Sequence, residues 1–345
     1  MNIKSLFSEK FKTHVLYYLS SSKEWNEIYK YKNKKKIIIA LGGDYGNFGD
    51  IAITIAQYDW LKKNFPDYEI IDFPISKTYR WTKSLKKCIN RDDIITLIGG
   101  GNTGDLYWSI ELCRQFIIKE FLHNKIVAFP QTVFHEDEKK MKVCINAYKK
   151  HKNLTFAIRE TDSLKYAKDN FKNNIIFTPD TALLLNVPKN NFKREGVSVI
   201  LREDKEGFLS KEDNSNIYNE LRKENIINIF DTVFEKTSSL DFYDRREKFY
   251  AFLEKIQKSQ VVITNRLHAM VFCAVTRTPC LVLPVIGVKV KGVYDAWLKD
   301  LNYITYLDEY NIEKIKSETE KLKNITPNKI NLEKDFEPLY NAIRD

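Results

Sequence analysis

Seven times along this chain an apolar, strand-like run stops at a polar or glycine-containing turn: at 42–50, 99–105, 130–131, 159–160, 178–180, 202–206 and 264–268. Helix-compatible stretches lie between the runs. Strands that alternate with helices must join through crossovers, and that favours a parallel, doubly wound α/β sheet. The expected strands are Lys36–Gly42, Tyr68–Phe73, Asp93–Ile98, Ile126–Phe129, Thr155–Ile158 and Ile175–Phe177, then Val197–Leu201, 260–263 and Cys280–Pro284. The main helices are expected at 51–65, 137–151, 162–170, 213–224, 242–258, 267–275 and 291–298, with 226–234 unassigned. GGGNTGD (99–105) reads as a glycine-rich loop, and the strand at 126–129 reads as ending at Pro130-Gln131. The polar turns all fall at carboxyl ends of strands, where open α/β sheets bind ligands.

A chain of 345 residues is too long for one small core. The polar stretch NVPKNNFKRE (186–195) separates two alternating sets. The expected units are a basic aromatic segment (1–36), a first Rossmann-like domain (37–188) and a second one (189–345) whose last stretch packs back as a helix. Two such domains facing each other make a cleft lined by loops from both. Hydrophobic content of 43% is that of a globular chain, and no apolar run reaches the length needed to span a bilayer. The N-terminus has no signal-peptide pattern, so a cytoplasmic protein is expected. Cys88, Cys113, Cys144, Cys273 and Cys280 are odd in number with no CxxC, and read as reduced core residues.

The net charge of +10 is uneven: residues 1–36 hold nine Lys and three Glu, interleaved with Phe7, Phe11, Tyr17, Tyr18 and Trp25. Such a segment fits either an anionic membrane surface or a solvated helix packed on the body of the protein. No nucleic-acid motif accompanies the charge, so nucleic acid is not an expected partner.

The densest chemistry lies in VVITNRLHAMVFCAV (261–275). An apolar strand gives way to Thr264-Asn265, then Arg266 and His268 precede a helix. Free N–H groups of a helix's first turn attract anions. An Arg fork matches carboxylate or phosphate, and His supplies a proton near neutral pH. The plainer reading is an Arg paired with a surface carboxylate and a capping His. GNFGD (46–50) and GGNTGD (100–105) share Gly, Asn and Gly-Asp, but neither is a Rossmann fingerprint or a P-loop. Asp50 and Asp105 each admit two readings, helix cap or acceptor-side carboxylate. His14, His123 and His151 look uninvolved, His135 is a weaker candidate for the cleft rim, and no metal-binding motif is present.

Taken in order, GNFGD (46–50), GGGNTGD (99–105), FPQTV (129–133), AIRETDSL (157–164), TPDTALLL (178–185), LREDKE (201–206) and TNRLHA (264–269) resemble the polysaccharide pyruvyl transferases. The resemblance covers most of residues 40–300. It implies two facing Rossmann-like domains, similar to the glycosyltransferase-B architecture. It also implies transfer of pyruvate from phosphoenolpyruvate to a sugar as a cyclic ketal, in bacterial capsule or exopolysaccharide synthesis. Arg159 falls on the family's donor-binding Arg, and Arg266, Leu267 and His268 on its Arg-Leu-His donor motif, with Asn265 also fitting. Arg159, Arg266 and His268 are the expected catalytic residues. Asn47, Asp50, Asn102, Asp105, Gln131, Arg202 and Lys289 are expected to line the cleft or bind the acceptor, with Asp204 and Glu206 as further candidates. No cofactor is expected beyond phosphoenolpyruvate as co-substrate. The expected acceptor is a lipid-linked, galactose-containing oligosaccharide, met at the inner face of the membrane; a homo-oligomer is allowed. A nucleotide-sugar glycosyltransferase and a non-catalytic sugar-binding member of a synthesis complex remain open as alternatives.

Overall fold

A computed structural model describes residues 15–187, 192–202, 208–234 and 240–345. Two parallel sheets organise the chain. The first holds β1 (Lys36–Gly42), β2 (Glu69–Pro74), β3 (Ile94–Leu97), β4 (Gly100–Gly104), β5 (Lys125–Phe134), β6 (Leu154–Ile158) and β7 (Asn174–Phe177). Their order is β2-β1-β3-β5-β6-β7, with β4 also paired to β5. The second holds β8 (Val197–Ile200), β9 (Ile227–Ile229), β10 (Val261–Thr264), β11 (Cys280–Val282) and β12 (Ile304–Tyr306), in the order β12-β11-β10-β8-β9. Every residue of β1, β3, β8, β10 and β11 is buried, as strands covered by helices on both faces must be. The fold is the two-domain, Rossmann-like arrangement expected.

The helices that matter for the site are α1 (Phe48–Asn64) after β1, α2 (Thr78–Lys86), α3 (Trp108–Glu120), α4 (Glu138–Tyr148), α5 (Thr161–Asn170), α6 (Lys211–Arg222), α7 (Phe242–Lys258), α8 (Leu267–Thr276) after β10, and α9 (Lys289–Val293). The α8 helix is apolar nearly all round, and eight of its ten residues are buried. Further on come α10 (Ile312–Lys323) and α11 (Glu337–Arg344). The α11 helix returns to the first sheet, where Leu339 and Ile343 join Ile37, Ile39 and Val127 in one apolar cluster.

Two local expectations are corrected. Gly100–Gly104 is a strand rather than a loop, and β5 continues through Pro130 to Phe134. Proline removes a ladder donor, so it is tolerated where pairing is already irregular. Here the register of β5 slips between Ala128 and Gln131 against β6, and between Gly100 and Thr103 on the β4 side. The Gln131 side chain donates to the carbonyls of Ile98 (2.6 Å) and Phe129 (2.7 Å) at that break. The unassigned 226–234 region contributes β9.

The described part of the N-terminal segment packs on the first domain. Trp25 stacks on Trp81 (4.5 Å between centroids) and Phe73 (5.3 Å), and Ile28 is fully buried. Each such aromatic pair contributes on the order of 1 kcal/mol beyond its burial. Leu16, Tyr18 and Leu19 stay exposed. No described helix is long and apolar enough to cross a membrane. Lys4, Lys10, Lys12 and His14, with Phe7 and Phe11, lie outside the described residues.

The two domains are pinned together by polar and aromatic contacts. On α7, Arg245 donates to the Gly43 carbonyl (2.9 Å) and to Asp72, and Arg246 forms a bidentate pair with Asp59. Phe48 packs between Phe234 and Phe252. The Phe48 N–H donates to Thr232 O (2.9 Å) and the Phe234 N–H to Gly46 O (3.0 Å).

Candidate active site

A cleft of about 160 Å³ opens between the carboxyl ends of the two sheets. The first domain contributes Tyr45, Asn47 and Asp50 after β1, Gly101 and Asn102 on β4, Tyr107 and Ile110, and Arg159 after β6. The second contributes Arg202 after β8, Thr232 after β9, Arg266, Leu267 and His268 after β10, and Lys289. Four cationic side chains, an imidazole and the first turn of α8 thus converge on one small space. That is a strongly anion-attracting wall.

Arg159 is 1% exposed. Its Nε donates to Thr132 Oγ1 (2.9 Å) and its Nη1 to Asp180 Oδ2. Its Nη2 reaches toward Gly101, where an added Cβ would stand 3.0 Å from it. Trp297 donates to the Arg159 carbonyl (2.7 Å), which fixes the backbone. The buried Arg159–Asp180 pair therefore holds one face of the guanidinium and leaves another toward the cleft.

Arg266 is the N-cap residue of α8, but its side chain makes no cap bond. It donates from Nη2 to Asp231 Oδ2 (2.6 Å), and its Nε lies 2.5 Å from Asp231 Oδ1. Asp231 is about one-third exposed, so the plainer reading, an Arg with a surface carboxylate, holds alongside the cleft position. Thr264 Oγ1 donates to Ile200 O and accepts from the Arg266 N–H (3.0 Å), tying the junction to β8.

His268 stands in the second position of α8 and does not cap it. Its ring packs against Gly49 so closely that a Cβ there would lie 2.1 Å from Nδ1. Only glycine leaves room for the imidazole. Among the described residues Nε2 has no hydrogen-bond partner, and it lies 3.8 Å from Asp180 Oδ2. Burial, aided by Arg159 and Lys289, pushes the imidazole down to about 4 against the pull of Asp180. The surroundings the protein itself provides thus favour a neutral His268 at pH 7.

Asp50 is corrected as a capping candidate. The cap of α1 is Asn47, whose side chain accepts from the Gly49 N–H (2.8 Å). Asp50 sits one turn in and faces the cleft. Burial raises its carboxyl to about 6, opposed by the neighbouring Tyr45 hydroxyl, Arg159 and Lys289.

The structure does not bring every expected residue to the cleft. Asp105 turns away and accepts from the backbone N–H groups of Glu136 (2.9 Å) and Asp137 (2.6 Å). Gln131 is fully buried and spent on the β4–β5 break. Asn265 is also fully buried, and its Oδ1 accepts from the Arg202 N–H (2.8 Å), so it positions Arg202. His135 bonds Tyr166 (3.0 Å) outside the cleft lining. Asn102 reaches the cleft but is held by Arg114, itself paired with Glu111. Asp204 and Glu206 lie outside the described residues. Asp180, Asp231, Thr132 and Tyr45 were not expected; Asp180 sits in the TPDTALLL segment, the one signal that pointed near it. Among the described residues, no group of three or more His, Cys, Asp or Glu side chains is placed to hold a metal ion.

Comparisons with known proteins show the family and the fold. Residues 47–285 match the family model for polysaccharide pyruvyl transferase. General stress protein 30 of Bacillus subtilis (strain 168) is 37% identical over 89% of this chain and 91% of its own length. Pyruvyl transferase 1 of Schizosaccharomyces pombe is 25% identical over 76% of this chain and 70% of its own. Among solved structures, a functionally uncharacterised protein from Klebsiella pneumoniae superposes with a TM-score of 0.57 at 18% identity, over 88% of this chain and all of that one. A UDP-N-acetylglucosamine 2-epimerase assigned from Listeria monocytogenes superposes at 0.50 and 12% identity, over 90% and 94%. The structural likenesses speak for the fold. The chain belongs to the polysaccharide pyruvyl transferase family.

Proposed function

We propose that this member of the polysaccharide pyruvyl transferase family uses phosphoenolpyruvate as donor and builds a cyclic ketal across two hydroxyls of a sugar. The observation that carries this reading is the convergence of Arg159, Arg202, Arg266 and Lys289 on one small cleft beside His268 Nε2, which has no hydrogen-bond partner among the described residues. Phosphoenolpyruvate carries a carboxylate and a phosphate within a few bonds of each other, and a fork of Arg residues is complementary to both. Arg159 and Arg266 hold the donor and offset charge on the departing phosphate. His268 protonates the methylene carbon, which leaves C2 open to the first hydroxyl. Phosphate then leaves and the second hydroxyl closes the ring.

A neutral His268 is no acid, so the donor must recharge it. A trianion bound beside the imidazole favours the imidazolium and opposes the burial that keeps it neutral. The proton is then delivered only when the donor is in place. The acceptor is placed on the side of Tyr45, Asn47 and Asp50; a lipid-linked, galactose-containing oligosaccharide suits an enzyme working at a membrane surface. Binding to anionic vesicles, compared between the full chain and a chain lacking residues 1–14, tests that placement while sparing the packed Trp25 and Ile28. Release of phosphate from phosphoenolpyruvate on addition of methyl β-galactopyranoside, with a pyruvate ketal in the product, tests the reaction. Turnover of a nucleotide sugar with no binding of phosphoenolpyruvate overturns it.

A further inference from the structure

We infer that Asp50 is the base that takes the proton of the attacking sugar hydroxyl, and that Tyr45 positions it; this rests on the proposed pyruvyl transfer. Among the described residues, two other carboxylates beside cleft-lining side chains are committed. Asp180 accepts from the Ala182 N–H (2.8 Å) and from Arg159. Asp231 is paired with Arg266. Asp105 points elsewhere. Asp50 is relieved of capping by Asn47 and is neighboured by a phenol. That phenol stays protonated, because burial pushes Tyr45 well above its ordinary value. A neutral donor orients a carboxylate without neutralising it, which an arginine would do.

Position supports the same role. Asp50 is one residue from Gly49, against which His268 packs, so acid and base stand on neighbouring walls of one cleft. Gly43 lets the β1 turn lie against the backbone of Asp50, with an added Cβ meeting it at 2.9 Å. The carboxyl is therefore held by a rigid strand–helix junction rather than a free loop.

The proton balance closes. Asp50 takes the first hydroxyl's proton as that oxygen bonds to C2. The alkene electron pair takes a proton from His268 and the methylene becomes a methyl. The C2–O bond to phosphate breaks with its electron pair, and the Asp50 proton goes to the leaving phosphate. The second hydroxyl bonds to C2, and its proton restores the imidazolium. Donor and diol become ketal and phosphate with no other reactant.

The experiment compares wild type, Asp50→Asn and Tyr45→Phe. Calorimetry with phosphoenolpyruvate comes first: absence of binding to wild type refutes the underlying reading, whereas retained binding in all three isolates the base. Phosphate release is then followed with methyl β-galactopyranoside and with water as probe acceptors. Asp50→Asn should keep donor binding within about threefold and lose at least about 100-fold in kcat, the usual share of general base catalysis. Tyr45→Phe should move the acid limb of the pH profile upward and lower kcat more than it changes KM, which a merely structural role would not do. A ¹³C-carboxyl titration of Asp50, assigned by difference from Asp50→Asn, reads the carboxyl directly and needs no acceptor. An Asp50 titrating with ordinary carboxylates and indifferent to Tyr45→Phe overturns the inference. So does an Asp50→Asn variant that turns over within a few-fold of wild type.

Discussion

Replacing Asp50 by Asn should stabilise the protein at alkaline pH. Asp50 rises from 3.8 to about 6 on folding, chiefly through burial. A raised carboxyl means that between those values the folded state holds a proton the unfolded chain has released. Stability then falls as pH climbs from about 4 to 6 and stays lower above that. At ~1.4 kcal/mol per tenfold change in proton affinity, the ionised carboxylate costs about 3 kcal/mol, trimmed toward 2 by water in the cleft. Asn has the same shape and no charge to desolvate. Thermal unfolding of both proteins from pH 4 to 8 measures the difference. The variant should gain about 2–3 kcal/mol at pH 8, a shift of roughly 3–4 °C for a chain of this length, and match wild type near pH 4. An equal stability gap at both ends, or a less stable variant at pH 8, would refute the assignment of a desolvated carboxylate at the cleft.

Further outcomes follow from neighbouring groups. Donor binding at pH 7 should take up protons, read as a dependence of calorimetric heat on buffer ionisation enthalpy, and His268→Gln should abolish the uptake; an unchanged dependence contradicts a donor-charged acid. Gly49→Ala forces a methyl onto the His268 ring; it should cost about 1–3 kcal/mol in stability and most of the activity, and a fully active variant would show that the ring is free to move. Asp180→Asn leaves Arg159 buried without its counter-charge, and should cost about 3–5 kcal/mol by denaturant unfolding. A near-neutral result would mean that Arg159 is solvated in the cleft.

Much of the fold was legible because it rests on local pattern. The all-buried runs of β1 and β10 announce parallel strands, and the helical run after Leu267 follows directly. Arg266 and His268 could be found for the same reason: the junction is contiguous in sequence. Partners brought by tertiary structure were not legible. Asp180 meets Arg159 only when β6 and β7 lie side by side, and Asp231 meets Arg266 only across the end of β8, which lies between β9 and β10. Asp105 and Asp50 share a Gly-Asp pattern, yet one seals a turn and the other faces the cleft. The pattern encodes the glycine's backbone role, not the direction of the carboxylate beside it. Gln131 misled similarly, since an amide at a strand end serves a broken ladder as readily as a ligand.

The proposed chemistry depends on an anionic pyruvyl donor binding where the two domains meet. Calorimetric titration of phosphoenolpyruvate into wild type, Arg266→Ala and His268→Ala tests it most directly. Micromolar-to-millimolar binding to wild type is expected, weakened at least about tenfold without Arg266 and retained with altered proton uptake without His268. Binding that survives the loss of Arg266 undiminished, or no binding by a folded wild type, would contradict it.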